Sequence, residues 1–178
     1  MLRAIIILLF LPNMVLANDW DALLEPGTFA LMRHALAPGT GDPAGFRLDA
    51  CDTQRNLDAR GREQARKTGE AFRDQGIEFD QVWTSQWCRT RETAALLNIA
   101  PVVDMPALNS FFEDFSSSET QTAKVMALLG ATQGRVFIVS HQVNIRALTG
   151  QGTRSGEVLI ARLMGENLQV IGSIMINP

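Results

Sequence analysis

The sequence predicts an α/β fold of three layers, in which a mostly parallel central sheet is flanked by helices. Strand-like and helix-like segments alternate after residue 20, which is typical of a parallel sheet that helices cover on both faces. The apolar run from Val136 to Val139 is uninterrupted, as expected of a central strand buried on both faces. The length of 178 residues suits one domain with a sizeable core.

The first 17 residues have the pattern of a secretory signal peptide. Arg3 gives a positively charged start, Ala4 to Leu11 form an apolar stretch, and a cleavage site follows at about Ala17. This apolar stretch is much shorter than the roughly 20 residues that span a bilayer. We therefore expect residues 1–17 to be a signal peptide and residues 18–178 to form the domain. The mature protein is expected to be periplasmic or secreted, with no membrane span.

The first half of the domain is predicted to contain a strand, a long loop and a helix. Thr28 to Met32 form a short apolar strand that ends at Arg33-His34. Residues 35–56 contain several glycines and prolines, which predicts a loop. Asp58 can cap a helix whose apolar residues recur at helical spacing, and Gly76 suits its C-terminus.

The second half continues the alternation and ends in two successive strands. The helices are indicated by a capping box, by glycine at a C-terminus and by a stop before proline. In chain order we predict strand Gln81–Thr84, helix Arg89–Leu97, strand Pro101–Val103, a helix opened by the box Ser118-x-x-Gln121 and ending near Gly130, strand Val136–Val139, a short helix from His141 to Gly150, and strands Glu157–Met164 and Leu168–Ile176.

The composition argues against several classes of protein. Hydrophobic residues make up 46% of the chain and charged residues 20%, which argues against a disordered protein. A formal net charge of −3 gives no electrostatic reason to expect nucleic-acid binding. The two histidines and two cysteines lack the short spacings of a zinc cluster. We therefore expect no metal and no other cofactor.

Export affects the interpretation of the two cysteines. In an oxidising compartment Cys51 and Cys88 can form a disulfide that leaves no third thiol. Two unpaired core residues are the alternative. Pairing requires the two α-carbons to approach within roughly 7 Å, and the sequence leaves this open.

Both histidines follow predicted strands. Ligands of such sheets bind at the carboxyl ends of the strands, where the chain places Arg33-His34, Ser85 leading to Arg89, and His141. A lone histidine after a strand is more often structural. Here both histidines of the chain occur there with arginines available, which favours a functional site.

These residue types suit the chemistry of a phosphoryl group, which carries about two negative charges near neutral pH. Guanidinium groups of Arg33 and Arg89 can bind its oxygens in pairs. His34 can act as the nucleophile at phosphorus if its other ring nitrogen is held protonated. His141, at a helix start, can add positive charge as an imidazolium. A carboxylic acid is then needed to protonate the leaving oxygen.

Four segments, LMRHALAPG, TQRNLDARGREQAR, TSQWCRTRETA and IVSHQVNIRAL, resemble the histidine phosphatase superfamily, which is also called phosphoglycerate mutase-like. The resemblance implies that fold and implies that His34 is the phosphorylated nucleophile. It further implies that Arg89, in the pattern Ser-x-x-x-Arg-x-x-x-Thr-Ala, is the second phosphate-binding arginine, and that His141 is the family's second histidine.

The sequence departs from the family pattern at two places. Ala35 follows the first histidine, where the family often has glycine. The family's acid commonly follows a Leu-x segment, but here Ser110 stands after Leu108-Asn109 and cannot donate in that way. The nearest carboxylates are Glu113 and Asp114. We favour Glu113 as the proton donor and keep Asp114 as the alternative.

The expected function is hydrolysis of phosphomonoesters through a phosphohistidine on His34, without a metal. Arg55, Asp114 and Gln142 are expected to contact the rest of the substrate, a phosphorylated small molecule or an envelope glycan phosphate. Export argues against a mutase with a role in glycolysis. The alternative from another class is a non-catalytic protein that binds a phospholigand or an envelope partner on the same fold. The oligomeric state is left open.

Overall fold

One six-stranded sheet runs through the computed structural model, which describes residues 19–165 and 167–178. The predicted signal peptide lies outside the described residues. The strands are β1 Thr28–Arg33, β2 Gln81–Thr84, β3 Val102–Asp104, β4 Val136–Ser140, β5 Glu157–Met164 and β6 Asn167–Met175. Their order is β3-β2-β4-β1-β5-β6. The pairs β3–β2, β2–β4 and β4–β1 are parallel, whereas β5 is antiparallel to both β1 and β6.

Helices cover both faces of this sheet. They are α1 Ala59–Asp74, α2 Cys88–Leu97, α3 Ser118–Ala131 and α4 Gln142–Thr149. Met32 of β1 packs in a core with residues of α1 and α2, such as Phe72. Its neighbour Leu31 packs in a second core with residues of α3 and α4, such as Leu129. Successive side chains of a strand point to opposite faces, so this alternation produces three layers and confirms the predicted fold class.

The capping residues predicted from the sequence are found at the ends of two helices but not at the start of α3. Asp58 caps α1, because its carboxylate accepts a hydrogen bond from the Gly61 amide at 2.8 Å. Gly150 ends α4 with a φ of 74°, a conformation that glycine adopts readily. The predicted capping box of α3 is wrong. The N-cap is Ser117, whose hydroxyl contacts the Gln121 side chain at 2.8 Å instead of an amide of the first turn.

The long segment between β1 and α1 is attached to α2. Cys51 and Cys88 form a disulfide with their α-carbons 5.6 Å apart, which settles the alternative that the sequence left open. Gln54 strengthens this attachment, because its side-chain oxygen accepts from the Cys88 amide at 2.9 Å. Loop 35–56 is therefore held against the start of α2, one residue before Arg89. Within the described residues no helix has the length and apolar character needed to cross a membrane.

The contact between α1 and α2 depends on a glycine. A β-carbon at Gly69 would lie 1.9 Å from the backbone oxygen of Leu97, so the two helices approach at a distance that only glycine permits. Gly130 of α3 is different, because a β-carbon there would meet no atom closer than 4.0 Å.

We predict opposite effects of alanine at these two helical glycines. Gly69→Ala should lower the free energy of unfolding by about 1–3 kcal/mol, because the helices must separate. Gly130→Ala should leave it unchanged or raise it by up to about 1 kcal/mol, because alanine favours a helix. Urea denaturation of the two variants and the parent protein measures both. Equal stability of the two variants would contradict the close approach of α1 and α2.

Candidate active site

The carboxyl ends of the parallel strands open into a cleft of about 580 Å³. β1 ends at Arg33, β4 ends directly before His141, and β2 leads through Ser85 to the start of α2. Parallel strands end at the same edge of a sheet, so these segments meet there. Every side chain that the sequence suggested for the site lines this cleft: Arg33, His34, Arg55, Arg89, Glu113, Asp114, His141 and Gln142.

His34 is held with one ring nitrogen protonated. Its ring is buried, and its Nδ1 lies 2.8 Å from the carbonyl oxygen of Ala35. A carbonyl oxygen only accepts, so Nδ1 carries the hydrogen and Nε2 keeps a free lone pair. The Ala35 amide in turn donates to the Thr93 hydroxyl at 3.1 Å, which ties the turn after β1 to α2. The backbone therefore presents Nε2 of His34 as an unprotonated nitrogen.

His141 is held in the opposite tautomer. Its ring centroid lies 5.6 Å from that of His34. Nδ1 lies 3.4 Å from Nη2 of Arg89, and Nε2 lies 2.8 Å from the hydroxyl oxygen of Ser85. Arginine can only donate, so Nδ1 accepts and Nε2–H donates to Ser85. Ser85 and Arg89 together determine the tautomer of this histidine.

Burial lowers the pKa of both histidines well below 6.5. The charge of Arg89 lowers the pKa of His34 further, and His34 and Arg89 both lower that of His141. Both rings are therefore neutral at pH 7 in this structure. For His34 this agrees with the lone pair that a nucleophile needs. The expected imidazolium of His141 is wrong for this structure, because desolvation and the neighbouring arginines disfavour a further positive charge.

Arg33 and Arg89 each have a buried N–H group without an acceptor. Nη1 of Arg33 donates to the carbonyl of Thr153 at 3.2 Å, while its Nε has no partner among the described residues. Nε of Arg89 is likewise buried and unpaired within the described part of the chain. Burial lowers the pKa of both groups, but a guanidinium keeps its proton in proteins. Both arginines line the cleft, and each thus keeps one buried N–H donor that lacks an acceptor within the described residues.

Asp42 is the site residue that sequence reasoning missed. Its carboxylate pairs with both terminal nitrogens of Arg89, at 2.7 and 3.2 Å. It also accepts from the Trp87 indole at 3.0 Å and from the Arg55 amide at 3.1 Å. Burial alone raises the pKa of Asp42, but these hydrogen bonds and the charge of Arg89 lower it overall. A signal was present, because a deeply buried arginine needs a carboxylate partner and the adjacent loop offers one.

Arg55 holds the loop that it belongs to. Its Nε donates to the carbonyl of Gly41 at 2.7 Å, and its Nη1 donates to the carbonyl of Ala37 at 2.5 Å. Burial and the charge of Arg89 lower its pKa to about 10, so it remains charged at pH 7. Arg55 therefore contributes positive charge to the wall of the cleft while it fixes loop 35–56.

Glu113 and Asp114 lie at the exposed mouth of the cleft and differ in their hydrogen bonds. Asp114 caps a short 3-10 helix, Phe115–Ser117, and accepts from the Ser116 amide at 2.9 Å. Hydrogen bonds from Ser116 lower the pKa of Asp114. Glu113 approaches loop 35–56, since its Oε1 would lie 3.7 Å from a β-carbon at Gly41. This places Glu113 next to the segment that carries Asp42.

The described residues contain no group of three or more histidine, cysteine or acidic side chains that could hold a metal ion. The charged and imidazole groups of the cleft are the two histidines, four arginines (Arg33, Arg55, Arg89 and Arg146) and three carboxylates (Asp42, Glu113 and Asp114). This set can bind an oxyanion, provide a nucleophilic nitrogen and exchange a proton at its mouth.

Comparison with known proteins identifies the family of the chain. The family model of the histidine phosphatase superfamily (branch 1) matches residues 29–127, which is more than half of the chain. The chain therefore belongs to the histidine phosphatase superfamily. No curated protein matches the sequence.

Solved structures of enzymes share the fold. The alpha-ribazole phosphatase from Shigella flexneri is 19% identical, with a TM-score of 0.59 over 85% of this chain and 96% of that chain. The phosphoserine phosphatase from Entamoeba histolytica, in complex with 3-phosphoglyceric acid, is 12% identical, with a TM-score of 0.59 over 84% and 97%. The protein histidine phosphatase SixA, complexed with tungstate, is 19% identical, with a TM-score of 0.56 over 83% and 96%. At these identities the likeness establishes the fold.

We predict that neither histidine titrates near pH 6.5 in the folded protein. The chain has only two histidines, so nitrogen-15 NMR of the imidazoles resolves both. His34 should show the Nδ1–H tautomer and His141 the Nε2–H tautomer, both neutral well below pH 6.5. In urea both should titrate near 6.5.

The same depressed pKa values determine how stability depends on pH. Below about pH 6.5 the unfolded chain binds protons that the folded protein does not. The free energy of unfolding should therefore decrease as the pH is lowered below 6.5. Above pH 6.5 the histidines should contribute no slope. A folded-state histidine that protonates at or above pH 6.5 would contradict the buried, cation-flanked site.

Proposed function

We propose that the protein is a metal-independent phosphomonoester hydrolase that forms a phosphohistidine on His34. One observation carries the proposal: an unprotonated histidine nitrogen lies in a cleft lined by Arg33 and Arg89, each of which has a buried N–H donor with no acceptor among the described residues. Buried donors without partners cost free energy, and an oxyanion bound at this place satisfies them. A phosphoryl group provides both the oxygens for these donors and the electrophilic phosphorus for His34.

In the first step Nε2 of His34 attacks phosphorus and the bond from phosphorus to the ester oxygen breaks. The proton on Nδ1 remains hydrogen-bonded to the Ala35 carbonyl, at 2.8 Å, which stabilises the positive charge that develops on the ring. Glu113 gives its proton to the departing oxygen, so the alcohol leaves neutral. The products of this step are the free alcohol and the phosphorylated enzyme.

The surrounding charges stabilise the transferring group. Arg33 and Arg89 donate to its oxygens, and their positions are determined by β1 and α2 before substrate binds. His141 lines the cleft beside His34, with the two ring centroids 5.6 Å apart, and provides a third side chain next to the transferring group. Catalysis of this kind depends mainly on positioning and electrostatic stabilisation.

In the second step water attacks the phosphohistidine and the bond from nitrogen to phosphorus breaks. Glu113, now a carboxylate, accepts the proton of the attacking water. Inorganic phosphate leaves, His34 is again neutral with its hydrogen on Nδ1, and Glu113 is protonated for the next cycle. Both steps use the same residues, and no group besides substrate and water is consumed.

Glu113 is the better candidate for the proton donor. Asp114 is engaged by the Ser116 amide, which stabilises its ionised form. No hydrogen bond from another described residue to the Glu113 carboxylate is present, and its position beside Gly41 brings it to the edge of the cleft. Glu113 is also exposed at the mouth of the cleft, where the alcohol of the ester would leave toward solvent.

We also propose that residues 1–17 direct export and that the enzyme acts in the periplasm or outside the cell. The Cys51–Cys88 disulfide supports this, because disulfides persist in oxidising compartments. The proposed substrates are phosphorylated small molecules or phosphates of envelope glycans, which such an enzyme would meet there. Secretion of the full chain with loss of its first residues is the observation to seek.

The role of His34 is tested with 4-nitrophenyl phosphate in the presence of a chelator. Wild-type protein should turn over the ester and yield a phosphoenzyme that is labile in acid and stable in alkali. His34→Ala should reduce turnover by about 10³-fold or more, as for other lost nucleophiles, and yield no phosphoenzyme. His141→Ala keeps the nucleophile, so slow turnover should still yield the phosphoenzyme. Equal turnover by wild type and His34→Ala would contradict the mechanism, and phosphate binding without turnover would favour the non-catalytic alternative.

The proton donor is tested by comparing leaving groups. Glu113→Gln should slow hydrolysis of an alkyl phosphate by roughly 10²-fold or more, because an alkoxide is a poor leaving group without a proton. The first-turnover release of 4-nitrophenolate should change far less, because that leaving group departs without a proton. Asp114→Asn is the matched control and should affect both substrates little. The opposite result for the two variants would assign the role to Asp114.

A further inference from the structure

We propose that Asp42 is a positioning residue that holds Arg89 by its terminal nitrogens, so that the Nε–H of Arg89 serves the phosphoryl group and Nη2 serves His141. This inference rests on the proposed function of the cleft. It assigns a role to a carboxylate that lies inside an anion-binding site, where its charge would otherwise oppose the ligand.

The pairing explains how the donors of Arg89 are distributed. Nη1 and Nη2 both face the Asp42 carboxylate, at 2.7 and 3.2 Å, while Nε is buried without an acceptor in the described chain. Nη2 is also 3.4 Å from Nδ1 of His141. A guanidinium held along one edge by a carboxylate has a fixed plane, so its remaining N–H has a fixed direction.

A chain of hydrogen bonds connects Asp42 to His141 through Arg89. Asp42 orients Arg89, and Arg89 donates to Nδ1 of His141. His141 then places its hydrogen on Nε2 and donates it to Ser85 at 2.8 Å. Asp42 therefore influences the tautomer of His141, which lies two hydrogen bonds away, without touching that ring.

Hydrogen bonds and burial hold the side chain of Asp42 in one position. Its two oxygens accept four hydrogen bonds, from both Arg89 nitrogens, the Trp87 indole and the Arg55 amide. Its side chain is 7% exposed and that of Arg89 is 3% exposed. A buried carboxylate that accepts four hydrogen bonds is held in one position, so Asp42 is a fixed part of the site and not a mobile side chain.

The surrounding loop is anchored on both sides of Asp42. Arg55 donates to the carbonyls of Ala37 and Gly41, which brackets the segment before Asp42. The disulfide joins Cys51 to Cys88, the residue before Arg89. Loop 35–56 and the start of α2 thus form one unit, and this unit keeps the Asp42–Arg89 pair in register.

The negative charge of Asp42 also reduces the electrostatic repulsion among the arginines of the cleft. Arg33, Arg55 and Arg89 line one cleft, and like charges there oppose each other's ionisation. Asp42 offsets the charge of Arg89, and because four arginines and three carboxylates line the cleft, the site keeps a net positive charge for the phosphoryl group. Neutralising Arg89 at its far edge achieves this without removing the Nε–H donor.

The first test is Asp42→Asn, with Asp49→Asn as the matched control. Asp49 is in the same loop and has an 86% exposed side chain, so the control removes the same charge from the surface. Asp42→Asn should lower kcat/KM by about 10- to 100-fold, as expected for a misplaced catalytic donor. The loss should be equal for 4-nitrophenyl phosphate and for an alkyl phosphate, because Arg89 binds the phosphoryl group they share.

A double-mutant cycle then tests whether Asp42 acts through Arg89. Arg89→Lys keeps a positive charge but cannot present two nitrogens along one edge. In that background Asp42→Asn should cause little further loss, whereas independent roles would make the two losses multiply. Trp87→Phe removes one of the four donors to Asp42, leaves the ion pair in place and should give a smaller loss in the same direction. This variant maintains a test if Asp42→Asn does not fold.

Imidazole NMR separates this inference from the proposed enzyme activity. In Asp42→Asn the Nδ1 resonance of His141 should move while that of His34 stays, since His34 is bound to the Ala35 carbonyl. Asp49→Asn should move neither. This measurement needs no turnover, so it decides on Asp42 even if wild-type protein hydrolyses no ester.

Three outcomes would overturn the role of Asp42. Tighter binding of inorganic phosphate together with faster turnover in Asp42→Asn would show that the carboxylate obstructs the site. A loss confined to the alkyl phosphate would make Asp42 the proton donor. An unchanged His141 resonance in a folded, impaired variant would show that Asp42 does not act through Arg89.

Discussion

The guanidinium of Arg89 is almost completely buried at the sheet edge, and most of the site depends on how its charge is accommodated. Asp42 pairs with it at 2.7 Å, and loop 35–56 is shaped to bring that carboxylate in. The disulfide and Arg55 hold the loop in this position. The result is a cleft that remains positively charged while its most buried cation is paired.

The fold was predictable because its signals are local or periodic. The apolar run of β4 and the segment before Arg33 indicate buried strands, and the carboxyl-edge rule places both histidines together without knowledge of any contact. The predicted start of α3 failed at one residue, since Ser117 and Ser118 offer equivalent hydroxyls and only the backbone geometry selects the N-cap. Sequence periodicity thus determines the three layers of the fold, and local backbone geometry determines where each helix begins.

The sequence left the Cys51–Cys88 disulfide open and did not show which carboxylate of the loop pairs with Arg89, for a shared reason. Both join loop 35–56 to α2 across more than 30 residues, and loop conformation follows from tertiary contacts, not from periodicity. The neutral His141 has the same origin. A helix N-terminus disfavours positive charge, and burial and three arginines lower the pKa of the same ring further. Charge in this site is a property of the assembled cleft.

The arginines serve two requirements of phosphoryl transfer that usually conflict. A nucleophilic histidine must be unprotonated, while a phosphoryl dianion needs positive charge nearby. Burial and the charge of Arg89 lower the pKa of His34, which keeps the ring neutral. The same guanidinium groups then attract the dianion to the ring that they have kept neutral. Because arginine retains its proton where histidine loses it, one buried cationic cluster can supply both conditions over a wide range of pH.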